Sequence, residues 1–168
     1  MQNAGSRPKI PMTDILPTDI TVRVVSCDAK VIGSLVGGCR VTVRNRRSRE
    51  VMSEGLHQGG SGDTEAIMKQ SRQRGAVVFA TEGAAAYSAS LKLTEPTPVE
   101  ISVEGPLAYP QALQRASITT WLIPGKSILG EGFVIQLYGF IVEIITPASV
   151  EVFGPDQPFH LEASVRLL

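Results

Sequence analysis

Apolar and polar residues alternate along this chain in short segments, most of them closed by Gly, Pro or Asp. A period of two sends successive side chains to opposite faces of an extended backbone, so the pattern predicts half-buried β-strands rather than helices. Such segments lie at Ile20–Ser26, Cys39–Arg44, Tyr87–Leu93, Val99–Val103, 112–122 and Leu161–Leu167, with shorter apolar runs at Val77–Ala80 and Val150–Phe153. The longest runs from Phe133 to Ile145 and is apolar on both faces. Phe133, Ile135, Leu137, Ile141 and Ile145 share one side, and Val134, Tyr138, Phe140, Val142 and Ile144 share the other. Eight or nine strands at this spacing predict an all-β domain, a Greek-key-like β-sandwich.

Between the strands the chain divides unevenly. Residues 1–18 are polar and contain Pro8, Pro11 and Pro17, so they read as a flexible N-terminal arm before a single domain at 19–168. A long insertion at 45–75 opens with a charged cluster and passes through Gly59-Gly60-Ser61-Gly62. It ends in a short helix near 63–70, which Asp63 or Thr64 would cap. Long loops inside compact domains often carry function, which makes 45–75 a first place to look for binding. The two-faced segment at 133–145 has two readings. It is a central strand covered on both sides by its own domain, or one of its faces packs on another subunit, because a two-layer sandwich ordinarily wets its outer faces.

Composition narrows the function classes. Charged residues make up 19 % of the chain and apolar ones 43 %, in the range of ordinary globular domains. Sixteen basic residues balance sixteen acidic ones, which removes any bulk electrostatic case for nucleic acid or an anionic membrane. The balance is local, however. Residues 1–84 hold 12 Lys/Arg against 8 Asp/Glu, and residues 85–168 hold 4 against 8, a polarity that would favour head-to-tail contacts. No apolar signal region precedes the domain, so the expected setting is cytoplasmic or within an assembled particle.

Little in the chain points to catalysis. Two cysteines cannot complete a zinc site, and the opposed strand parity of Cys27 and Cys39 favours a reduced, non-catalytic pair; no metal or cofactor is expected. Pro124-Gly125-Lys126-Ser127 ends like a phosphate-binding loop, but Thr120 stands where that motif needs glycine, and a turn between strands explains it better. His57, expected to be exposed in the Gly-rich stretch, and His160, near a predicted strand start, could each meet a carboxylate in three dimensions, but no motif in the sequence pairs either with a nucleophile. Arg44, Arg46, Arg47 and Arg49 concentrate positive charge without interleaved aromatics, which suits a solvated loop or an acidic protein surface better than a nucleic acid.

Two stretches carry a family resemblance. Gly37-Gly38-Cys39-Arg40-Val41-Thr42-Val43 resembles the second strand of carboxypeptidase-regulatory-like and transthyretin-like sandwiches. Gly75-Ala76-Val77-Val78-Phe79, with Tyr87 and Leu91, resembles their next Gly-x-x-x-Phe strand and its neighbour. The resemblance covers about residues 20–104 and implies a sandwich of transthyretin-like or immunoglobulin-like character used as a binding or accessory module. Its hydroxyisourate-opening members end in Tyr-Arg-Gly-Ser. This chain ends Ser164-Val165-Arg166-Leu167-Leu168, so that activity is not implied. The function expected is a non-enzymatic structural or assembly subunit. It would contact itself or a larger protein complex through Arg44, Arg46, Arg47 and Arg49, and through Tyr138, Phe140 and Val142. A ligand-binding module, with the 45–75 and 105–111 loops framing the site, is the alternative, and a small hydrolase the more remote one.

Overall fold

The apolar alternation resolves into strands whose inner faces meet. A computed structural model describes residues 15–26, 32–71, 73–147, 150 and 152–168. Among them nine strands form: β1 (Leu16–Val25), β2 (Cys39–Asn45), β3 (Val51–His57), β4 (Tyr87–Leu93), β5 (Thr97–Gly105), β6 (Gln114–Leu122), β7 (Ile128–Gln136), β8 (Phe140–Thr146) and β9 (Glu162–Leu167). One sheet has the order β4-β1-β7, with β7 parallel to β1; a second has the antiparallel order β3-β2-β5-β6; β8 and β9 pair as a separate ribbon. The fold is an all-β sandwich.

Between the two sheets, Ile20, Val22 and Val24 of β1 meet Val41 and Val43 of β2 and Val99, Ile101 and Val103 of β5, all fully buried. Each such side chain contributes roughly 1.5–3 kcal/mol of transfer free energy. Cys39 lies in this core, and burial pushes its thiol pKa up to about 12, which makes it a packing residue rather than a nucleophile. Cys27 and its expected relation to Cys39 lie outside the described residues. Gly132 permits the close passage of β7 along β1. Its φ is 64°, and a Cβ there would stand 2.1 Å from the Thr21 carbonyl oxygen, beside the register shift between the two strands.

Four expectations change. The arm gives up its last residues: Leu16, Pro17 and Thr18 belong to β1 and pair with Leu93, Lys92 and Leu91, while residues 1–14 lie outside the described part. The 45–75 insertion is not one loop, because β3 within it pairs along the whole of β2. Its remainder, with the helix α1 (Thr64–Met68) capped by Asp63, continues to residue 86 and covers the outer face of the first sheet. There Arg23 Nη1 donates to the Ala85 carbonyl (3.0 Å) and Nε to that of Gly130 (3.2 Å), and Val25 packs with Ile67 and Ala85. Val77–Ala80 is not a strand, since the Glu131 carboxylate accepts the Val78 and Phe79 amides that a ladder would have used. Val150, Val152 and Phe153 are likewise outside any strand.

Candidate functional site

The 133–145 run is two strands rather than one, divided at Gly139. β7 ends its pairing with β1 at Gln136, and β8 then leaves to pair only with β9. Facing parity nevertheless survives the division. Ile135, Leu137 and Ile141 point inward and are buried and Phe133 is half-buried, whereas Val134, Tyr138, Phe140, Val142 and Ile144 are exposed; Ile145, expected on the inward side, is instead 54 % exposed, at the register shift that follows Ile144. The reading in which the domain covers both faces is therefore overturned, because no layer of the described chain lies over the second face.

Register makes that face larger than β8 alone suggests. Phe140 stands opposite Leu167, Val142 opposite Val165 and Ile144 opposite Ala163, so all six side chains project from one side of the ribbon. The five large ones are 46–66 % exposed. Together they display on the order of 500 Å² of apolar surface, at the upper end for the largest patch of a monomeric soluble protein. A two-stranded ribbon is also marginal by itself in water and gains its stability from what packs on it. The opposite side of the ribbon is anchored: Ile141 is buried, and Arg166 reaches Glu143 (3.0 Å) and the Tyr109 hydroxyl (2.5 Å) while lying 5.0 Å from the Tyr109 ring centre.

Behind that anchored side is a cleft of about 220 Å³, lined by Ile32, Val36, Gly60, Tyr109, Ile141 and Arg166 among others. It brings together the Gly-rich stretch and the 105–111 loop, the two segments expected to frame a ligand site. The volume is below the roughly 300–1,000 Å³ of small-molecule sites. The one guanidinium in the cleft is already held by Glu143 and Tyr109.

The arginines gather at the other end of the molecule. Asn45 Oδ1 accepts the Arg47 and Ser48 amides (2.8 and 3.2 Å), which shapes the β2–β3 turn, and Arg44 Nη1 donates to the Arg49 carbonyl (2.9 Å). Arg46, Arg47 and Arg49 are exposed and Arg44 is half-buried. Arg47 stands over the Trp121 ring, 5.4 Å from its centre. The structure thus brings the four arginines together, and separately Tyr138, Phe140 and Val142, but does not join the two groups. Val165, Leu167 and Trp121 were missed as site residues. The alternation of Leu161, Ala163, Val165 and Leu167 was a legible signal for the first two.

His57 corrects a further expectation. It is the last residue of β3, fully buried, with Nε2 accepting the Val24 amide (3.1 Å) and Nδ1 without a hydrogen-bond partner among the described residues. Burial, with the nearby Arg23 charge adding to it, lowers its pKa to about 4. It is a neutral core residue out of reach of substrate. The Pro124–Ser127 stretch is a turn between β6 and β7, closed by Lys126 N–H donating to the Ile123 carbonyl (3.0 Å). Among the described residues no helix is long and apolar enough to cross a membrane. Compared with protein-family models, curated proteins and solved structures, the chain matches none.

Proposed function

We propose that this chain is a structural or assembly subunit, non-enzymatic, that contacts itself or a larger protein complex in the cytoplasm or within an assembled particle. The observation that carries the reading is the exposed apolar face of the β8–β9 ribbon, formed by Phe140, Val142, Ile144, Val165 and Leu167. Covering it would contribute on the order of 10 kcal/mol, to be set against association costs of about 4–15 kcal/mol. The resemblance of the stretch from Gly37 to Val43, most of which lies in β2, to the second strand of carboxypeptidase-regulatory-like and transthyretin-like accessory modules agrees with such a role, although the matching Gly75–Phe79 stretch is not a strand here. The cleft beneath the ribbon supports the second reading, a module for a small ligand.

Light scattering across a concentration series tests the proposal. The expected result is a mass above the 18.0 kDa of one chain that Phe140→Asp or Val142→Asp returns to the monomer value. A monomer at every concentration, together with saturable small-ligand binding lost on Tyr109→Ala, would replace it with the second reading.

A further inference from the structure

Resting on the assembly reading, we infer that the ribbon face is occupied by a second copy of this chain, docked head-to-tail against the arginine-hairpin end of its neighbour. The two surfaces lie at opposite ends of one sheet. β5 begins at Thr97, beside Leu122 and the hairpin, where Arg46 N–H donates to the Pro98 carbonyl, and ends at Gly105 beside Gln114. The ribbon departs from that far end, where a Cβ on Gly139 would touch the Gln114 side chain at 3.1 Å. At strand rise the nine residues of β5 separate the ends by about 27 Å.

Each end offers apolar groups to the other. Opposite the ribbon, Trp121 is 53 % exposed beside Pro98, Ile123 follows it at 48 %, and Leu16, at 50 %, packs by the Gly125 turn. Trp and Arg, here the half-exposed Trp121 beside Arg47, are among the residue types enriched at interface hot spots. Charge decides the orientation. Residues 44–50 together with Glu100, which stands 3.9 Å from Arg49, carry four arginines against two glutamates, net +2, whereas the described residues from 140 to 168 carry Glu143, Asp156 and Glu162 against Arg166, net −2. A two-fold contact of ribbon on ribbon would place acidic surfaces together; the head-to-tail contact joins opposite signs. Because the ends differ, such a contact is heterologous and repeats, giving an open chain or a ring rather than a closed dimer.

Mixing single-end variants tests this. The wild-type mass should grow with concentration past twice the 18.0 kDa protomer. Phe140→Asp, which disables the ribbon, and Trp121→Asp, which disables the other end, should each be monomeric. Mixed in equal amounts they should form a species of two protomers and nothing larger, since one intact ribbon and one intact hairpin end remain. Ile123→Asp serves as a second variant of the hairpin end, and unchanged urea midpoints show that each variant folds. Arg46→Glu with Arg47→Glu should weaken association about tenfold and remove most of its salt dependence. A dimer that does not grow and is indifferent to Trp121→Asp and Ile123→Asp overturns head-to-tail docking while leaving the assembly reading in place. A monomer throughout overturns both.

Discussion

The sandwich and the ribbon are written in the same alternating apolar residues and meet opposite fates. In β5, Val99, Ile101 and Val103 alternate with Glu100, Ser102 and Glu104, and the apolar members are sealed beneath the first sheet. In β8, Phe140, Val142 and Ile144 alternate with Ile141 and Glu143, and the three remain in water. Alternation decides which side chains share a face. Whether that face is covered depends on a second layer arriving from elsewhere in the chain, and for β8 the described chain supplies only β9, alongside it rather than above it. β1 shows the contrary case. Its outer face, with Thr21, Arg23 and Val25, is covered by the segment that ends near residue 86.

Matched truncations in the two regions should separate most widely. Ile101→Ala removes a fully buried side chain and should cost about 2–5 kcal/mol of stability in urea unfolding. Ile144→Ala removes one that is 66 % exposed and should change the stability of the isolated chain by less than about 0.5 kcal/mol. Equal losses at the two positions would mean that the ribbon face is covered even in the monomer.

His57 supplies a test of the junction between the sheets. Its folded pKa of about 4 lies below the ordinary 6.5, so as pH falls the unfolded chain takes up the proton first. Its stabilisation is complete above about pH 6.5 and declines as the pH falls to 4, by about 3 kcal/mol in all. His57→Gln should flatten the stability profile in that window, leaving the decline due to carboxylates. A wild-type profile no steeper than the variant's would show that the imidazole titrates normally. A smaller loss than at Ile101 or His57 is expected at the edge where β3 meets β4, where Ser53 Oγ and the Tyr87 hydroxyl are 2.5 Å apart. Tyr87→Phe should lower stability by about 1 kcal/mol without altering association.

Several features of the site were legible in advance, and the rest were not, for definable reasons. Tyr138, Phe140 and Val142 share a face by parity alone, and parity survived the break at Gly139. Trp121 carried no signal, because its exposure follows from which edge of the sheet β6 occupies. His57 misled because a glycine-rich flank reads as a loop, whereas β3 in fact ends there inside the core. The Val77–Ala80 segment has strand composition, and what keeps it from pairing is one distant carboxylate, Glu131.

By itself, the sequence determined the all-β class, the positions of most strands, the capped helix after Asp63 and the set of side chains on each strand face. These follow from backbone geometry over two to four residues, and such geometry is written locally. Only the tertiary structure decided that 133–145 divides between two sheets, that β3 pairs within the supposed insertion, and that the arginines and the ribbon lie at opposite ends of β5. Those are outcomes of non-local pairing. The free energy that selects among such pairings comes from burying surfaces distant in the chain, and no short stretch of residues encodes which of them will meet.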